Sequence, residues 1–251
     1  MKRTMSTAIF LILLVLPATA QRWVNISYPW AFVEHHPAAE MLDDTKDSFV
    51  YGTERGNLIV MERDRMTGRL EASKQREVWA PVKQIRLAET TGDSRNELLV
   101  TTRRGDLFVI EAGNLEDVWR TPEGYFQTIS CFTVGDTDGD GQAEIILIAD
   151  DKLVIMAGNT EAEKYRSPLD YNATDIAIAD VDGDGQDEIV LNTGQVLDAK
   201  FRQLEWEHTD SFGDVIDLFD IDGDGIIEIV GTGPSGEVLI IDGDERLVKW
   251  E

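Results

Sequence analysis

The chain has 251 residues, with 48 Asp and Glu against 23 Lys and Arg, a formal charge of −25 and 42% hydrophobic residues. That length holds one large or two ordinary domains, and the charge counts against nucleic acid or an anionic membrane surface as a partner while it favours cations. A single cysteine, Cys131, excludes an intrachain disulfide framework and a cysteine-based zinc site.

Lys2 and Arg3 precede an uncharged apolar run from Ala8 to Leu16, and Pro17-Ala18-Thr19-Ala20 supplies small residues for cleavage before Gln21. This pattern predicts a secretory signal over residues 1–20 and a chain that is secreted, either extracellular or periplasmic. The run is too short for a membrane span, and no later segment is long and apolar enough to be one. Residues 21–251 are expected to form one repeat domain, in which Arg22-Trp23-Val24 reads as a stray outer strand.

Three segments of that domain align without gaps: Asp136-Thr-Asp-Gly-Asp-Gly-Gln-Ala-Glu144, Asp180-Val-Asp-Gly-Asp-Gly-Gln-Asp-Glu188 and Asp220-Ile-Asp-Gly-Asp-Gly-Ile-Ile-Glu228. Glu89 to Glu97 is a decayed copy, in which Thr91 and Ser94 replace an Asp and a Gly and Arg95 adds positive charge. A fainter copy surrounds Asp43, Asp44 and Asp47. Taken at the ninth position the copies fall at Ser48, Glu97, Glu144, Glu188 and Glu228, in steps of 49, 47, 44 and 40 residues.

Each copy is preceded by an apolar run, such as Gln84–Ala88, Ile129–Val134, Asp175–Ala179 or Val215–Phe219, and is followed by another. A turn often carrying Gly (Gly56, Gly105, Gly194, Gly236), a third run and a fourth run ending on Trp79, Trp119, Tyr165, Trp206 or Trp250 complete the unit. Short Val- and Ile-rich runs between turn residues predict buried strands, and four strands in about 45 residues is the pattern of a propeller blade. The expected fold is therefore an all-β β-propeller of about five four-stranded blades, over residues 28–82, 83–122, 123–168, 169–209 and 210–251. Trp23 and the strand ending at Trp250 compete for one place, so the ring either closes with a redundant strand or is an open part of a larger one.

The three intact loops predict calcium sites. Calcium takes six to eight hard oxygen ligands, and glycines at the fourth and sixth positions let the chain coil tightly enough for alternate Asp residues to converge. The expected ligands are Asp136, Asp138, Asp140, Gln142 and Glu144; Asp180, Asp182, Asp184, Gln186 and Glu188; and Asp220, Asp222, Asp224, Ile226 and Glu228, for about three calcium ions. Gln142, Gln186 and Ile226 are included for their main-chain carbonyls. An EF-hand would need Glu at the twelfth position, where Leu147, Leu191 and Gly231 stand. Magnesium suits an all-protein cage poorly. An acidic turn without an ion is the competing reading, and it leaves four carboxylates to repel one another.

With their following Glu-Ile-Ile or Glu-Ile-Val, these loops resemble the FG-GAP/VCBS repeats of integrin-type β-propellers, strongly over 123–251 and faintly over 28–122. In that family the pattern Asp-x-Asp-x-Asp-Gly-x-x-Asp holds calcium between the first two strands of a blade, whereas here the ninth residue is Glu. The resemblance implies a metal and a scaffold but no single activity. The favoured expectation is a secreted, calcium-stabilised binding or adhesion module for a protein or glycan ligand, with other blades or subunits as partners if the ring is open. The alternative is an extracellular carbohydrate- or phosphate-ester-processing enzyme. No catalytic constellation supports it: His35, His36 and His208 form no motif, Cys131 reads as core, and Arg63, Arg65, Arg103 and Arg104 read as hairpin turns.

Overall fold

A computed structural model describes residues 39–43, 48–64, 66–232 and 238–250. The expected leader, the Trp23 strand, His35 and His36, and the readings placed on Asp44, Asp47, Arg65 and Gly236 lie outside these residues.

Twenty strands make five antiparallel four-stranded sheets, each joined in simple chain order. The first holds β1 (Ala39–Asp43), β2 (Ser48–Gly52), β3 (Asn57–Arg63) and β4 (Leu70–Glu77), and the second β5 (Val82–Ala88), β6 (Glu97–Thr102), β7 (Leu107–Glu111) and β8 (Asp117–Arg120). The third comprises β9 (Ile129–Gly135), β10 (Glu144–Ala149), β11 (Lys152–Ala157) and β12 (Glu163–Asp170). The fourth is β13 (Ile176–Ala179), β14 (Glu188–Leu191), β15 (Gln195–Asp198) and β16 (Leu204–Glu207), and the fifth β17 (Ile216–Phe219), β18 (Glu228–Thr232), β19 (Val238–Asp242) and β20 (Val248–Trp250). No helix occurs among the described residues, and so none long and apolar enough to cross a membrane.

The sheets stack face against face in chain order. Val60, Leu58, Leu98 and Ile110 fill the space between the first and second sheets, and Leu99, Phe132, Ile145 and Leu147 fill that between the second and third. Cys131, Ile146, Ile155 and Ile189 join the third to the fourth, and Val190, Trp206, Ile229 and Ile241 join the fourth to the fifth. This explains the unbroken apolar runs: every residue of β6 and β10 is buried, because both faces of these strands are covered. Each fully buried Leu or Ile contributes about 1.5–3 kcal/mol, so these interfaces, not any ion, carry most of the fold. Among the described residues no such cluster joins the fifth sheet to the first.

Polar ties link the same neighbours. Lys83 Nζ donates to Ile129 O (2.5 Å), Trp119 Nε1 to Gly158 O (2.8 Å), and Ile216 N to Asp175 Oδ2 (2.9 Å). The outer-strand aromatics hold for four sheets only. Trp119, Tyr165, Trp206 and Trp250 lie opposite Val109, Ile155, Val196 and Ile240, but in the first sheet Lys74 stands opposite Val60. Trp79 lies beyond the end of β4, 63% exposed, and Val78 turns into the core instead.

Candidate metal centres

The loops between the first and second strands of the second to fifth sheets share one skeleton. The buried Glu that opens the second strand reaches back to the second loop residue: Glu144 Oε2 accepts Thr137 N (2.8 Å), Glu188 Oε2 accepts Val181 N (2.9 Å) and Glu228 Oε2 accepts Ile221 N (2.8 Å). The decayed loop does the same, with Glu97 Oε2 accepting Thr90 N at 2.8 Å. The first Asp gathers main-chain donors, Asp136 through Gly139 N (2.8 Å) and Gly141 N (2.7 Å), and Asp220 through Gly223 N (2.6 Å) and Gly225 N (3.1 Å). This coiling requires left-handed backbone at the fourth and sixth residues, where the glycines have φ between 73° and 93°.

Carboxylates of the first, third and ninth residues converge. Oxygen atoms of Asp136, Asp138 and Glu144, of Asp180, Asp182 and Glu188, and of Asp220, Asp222 and Glu228 each lie within 4.8 Å of one another. The fifth residue is differently placed. Asp140, Asp184 and Asp224 accept the seventh residue's N–H, from Gln142 (2.8 Å), Gln186 (2.8 Å) and Ile226 (2.9 Å). Of these three only Asp224 joins a carboxylate group, with Glu228 and Asp242. Asp242 escaped the sequence reading because it lies on the third strand, paired opposite Glu228. The Gln142 side chain accepts from Asn159 (3.1 Å) and that of Gln186 donates to Asp184 (3.3 Å).

The donor set fits a hard cation: carboxylates and main-chain carbonyls, without sulfur or imidazole. Two carboxylate oxygens inside the clusters, Asp138 Oδ1 and Asp180 Oδ1, are buried without a hydrogen-bond partner. Buried oxygens of this kind are costly unless something positive meets them.

Outer-strand residues complete the three clusters. Every sheet has a β-bulge between its third and fourth strands, and the extra residue is Ser73, Val118, Lys164, Glu205 or Lys249 in turn. Lys164 Nζ reaches Asp138 Oδ2 (2.8 Å) and Glu144 Oε1 (2.7 Å). Lys249 Nζ reaches Asp222 Oδ2 (2.9 Å), Glu228 Oε1 (2.7 Å) and Asp242 Oδ2 (2.9 Å). The lysines' hydrogen bonds to these carboxylates raise both ammonium pKa values, against the pull of burial in Lys164. In the fourth sheet the extra residue is itself acidic. Glu188 is pushed up to about 8, by burial first and then by Asp182, Glu205 and Asp184. Burial, again reinforced by neighbouring carboxylates, raises Asp182 and Glu205 as well. The sequence signal for these residues was present, since Lys164, Glu205 and Lys249 each precede the outer-strand aromatic.

The remaining candidates lie elsewhere. Cys131 is buried on β9 with Sγ 3.8 Å from Ala173 O, and burial pushes its thiol up. His208 Nδ1 sits 3.0 Å from Asp210 O in a connecting loop. Arg103 and Arg104 pair with Glu54 and Glu123.

No family model and no curated protein matches the chain. Solved structures do. Over 81% of this chain it is similar to Sqt1 of Saccharomyces cerevisiae, with 14% identity, a TM-score of 0.60 and 57% of that chain covered. It is similar over 86% to the V. cholerae biofilm matrix protein Bap1 (18% identity, TM-score 0.57, 38% of that chain). It is similar over 85% to the Pan2 WD40 domain of Neurospora crassa (13% identity, TM-score 0.56, 65% of that chain). The chain spans less than two thirds of the length of each of these structures. At these identities the likeness concerns fold alone, and with the five sheets it makes the chain a β-propeller protein.

Proposed function

We propose that the chain is a secreted β-propeller binding module, of the FG-GAP/VCBS kind, whose acidic loops hold calcium as a structural ion. The observation that carries the metal reading is the pair of buried, partnerless oxygens, Asp138 Oδ1 and Asp180 Oδ1, inside clusters of hard donors. Bound calcium would be held by the loop carboxylates, and its chemistry there is charge neutralisation that fixes the loop. The ligand surface lies at the opposite end of the sheets, where the connection after β4 presents Trp79, 63% exposed. A large exposed aromatic is a suitable anchor for a protein or glycan.

Calcium and chelator arms of a thermal melt, with native mass spectrometry to count ions, test the metal. A midpoint that ignores both, with no ion retained, would end that reading. Binding of the full chain to a glycan or protein array without turnover, weakened by Trp79→Ala, tests the module. Calcium-dependent release of sugar or phosphate would replace it with an enzyme. An exported product beginning at Gln21 is the expected sign of secretion.

A further inference from the structure

The three acidic loops are not equivalent. In the third sheet Lys164 bonds Asp138 Oδ2 and Glu144 Oε1, so that both oxygens of Glu144 are taken by protein donors. In the fifth sheet Lys249 has three close carboxylate partners, Asp222, Glu228 and Asp242, which matches the three donors of an ammonium group. Each lysine is a cation already seated among the loop's carboxylates. In the fourth sheet the bulge turns Glu205 to the corresponding place. Glu188 is 1% exposed and accepts only Val181 N, through Oε2. Its other oxygen, the counterpart of those that receive the lysines, has no ammonium. Among the described residues no lysine or arginine forms an ion pair with Asp180, Asp182, Asp184, Glu188 or Glu205. Arg246 of the fifth sheet draws Asp182 and Glu205 down, the smallest of the influences on either, but its guanidinium stacks on Trp206, 5.7 Å from the ring centre, and forms an ion pair with neither.

We propose that the bulge residue of each outer strand sets how its loop meets the need for positive charge. The loop 180–188, backed by Glu205, is the primary divalent-cation site, whereas the loops 136–144 and 220–228 carry an internal cation in Lys164 and Lys249. Two independent observations point to a ligand at 180–188. Asp180 Oδ1 is buried there without a partner, and both sister clusters seat a cation at the same level of the fold. An ion entering either sister loop must take oxygens from an ammonium, which weakens its binding, because affinity at oxygen sites follows the count of free carboxylate charge. The 136–144 loop still offers Asp138 Oδ1, so its site is weakened but not closed. This inference rests on the calcium reading above and adds an order of filling to it.

Calorimetric titration of the full chain with calcium alone distinguishes the two ideas. The expected result is one ion bound about tenfold or more tightly than any that follow. Glu205→Lys should remove that advantage, and Glu205→Gln should reduce it in the same direction, so the test survives a Lys variant that fails to fold. Lys164→Gln and Lys249→Gln should each add one further tight ion. Should Lys249→Gln unfold without calcium, its refolding on calcium addition, followed by circular dichroism, is the same result read another way. Terbium in place of calcium locates the first ion, because Trp206 neighbours Glu205: sensitised emission should rise with the first equivalent and fall in Trp206→Phe. Three ions of equal affinity, unchanged in the bulge variants, overturn this inference and leave structural calcium standing. Binding of no ion by any form overturns both.

Discussion

The loops 89–97 and 136–144 are the same piece of architecture with different chemistry. In both, the Glu at the start of the second strand accepts an N–H and a hydroxyl from one threonine, Thr90 for Glu97 (2.8 and 3.1 Å) and Thr137 for Glu144 (2.8 and 2.9 Å). In both, the first acid collects main-chain donors, Glu89 Oε1 from Gly92 N (2.6 Å) and Asp136 Oδ1 from Gly139 N (2.8 Å). They differ in what surrounds the remaining carboxylates. Arg95 sits within the decayed loop and pairs with Asp93 and Glu111, both at 2.5 Å, while the intact loop keeps a buried oxygen on Asp138 that nothing meets. The comparison separates two jobs. The ninth-position Glu builds the loop whether or not a cation binds, and the oxygen left for one belongs to an Asp of the first three positions, Asp138 here and Asp180 in the next loop.

The largest expected effect comes from breaking the shared element. Glu97→Ala leaves the buried Thr90 N–H and hydroxyl without an acceptor, at a cost of about 3 kcal/mol. For a domain of this size that lowers the melting midpoint by roughly 6–12 °C. The loss should be equal in calcium and in chelator, because this loop is complete without an ion. A loss that appears only in calcium would mean the decayed loop still binds the metal.

Removing calcium should act on the intact loops instead, and first on 180–188, where no lysine stands in for the ion. A site filled at a hundred times its dissociation constant stabilises by about 2.7 kcal/mol, so chelation is expected to lower the midpoint by roughly 5–10 °C for one strongly held ion. Hydrogen exchange sharpens the contrast: amides of β13 and β14, which flank the 180–188 loop, should exchange faster in chelator while those of β5 and β6 stay unchanged. Uniform acceleration across all five sheets would contradict a local role.

The repeat and its strands were legible because they rest on apolar runs closed by turn residues, and Glu144-Ile-Ile-Leu-Ile is buried throughout as such a run requires. The converging Asp and Glu were legible through their spacing and their glycines. Residues that act across the sheet were not. Lys164, Glu205 and Lys249 lie 20, 17 and 21 positions beyond their loop's Glu, and only a bulge in the outer strand turns them onto it. Trp79 misled for a related reason. It occupies the aromatic's place in the count along the chain, but β4 ends at Glu77, and the register puts Lys74 opposite Val60.

The outer-strand tryptophans offer a finer contrast between neighbours. Trp119 Nε1 donates to Gly158 O at 2.8 Å, whereas Trp206 Nε1 is buried without an acceptor. Both rings are about equally buried, at 9% exposure, so a change to Phe removes similar apolar area from each. Trp119→Phe should cost about 1–2 kcal/mol more than Trp206→Phe, since only the first leaves a carbonyl unsatisfied and the second removes an unpaired donor. Chemical denaturation of the two variants measures the difference directly, and equal losses would show that the indole hydrogen bond adds nothing.

The smallest effect is a reciprocal exchange at the sixth loop position. Gly141 has φ +84° with no atom within 4 Å of where a Cβ would stand, and Ser94 occupies the same place in the decayed loop with φ +64°. The left-handed conformation disfavours a side chain by about 1 kcal/mol, and with open space around Gly141 no clash is added to that term. Ser94→Gly should therefore stabilise by up to about 1 kcal/mol and Gly141→Ser should destabilise by a similar amount. In Gly141→Ser the penalty should persist in calcium, because the substitution strains the backbone without touching a carboxylate. Recovery of the whole loss on adding calcium would show instead that the glycine serves the ion, and the separation between loop building and cation binding would fail at this position.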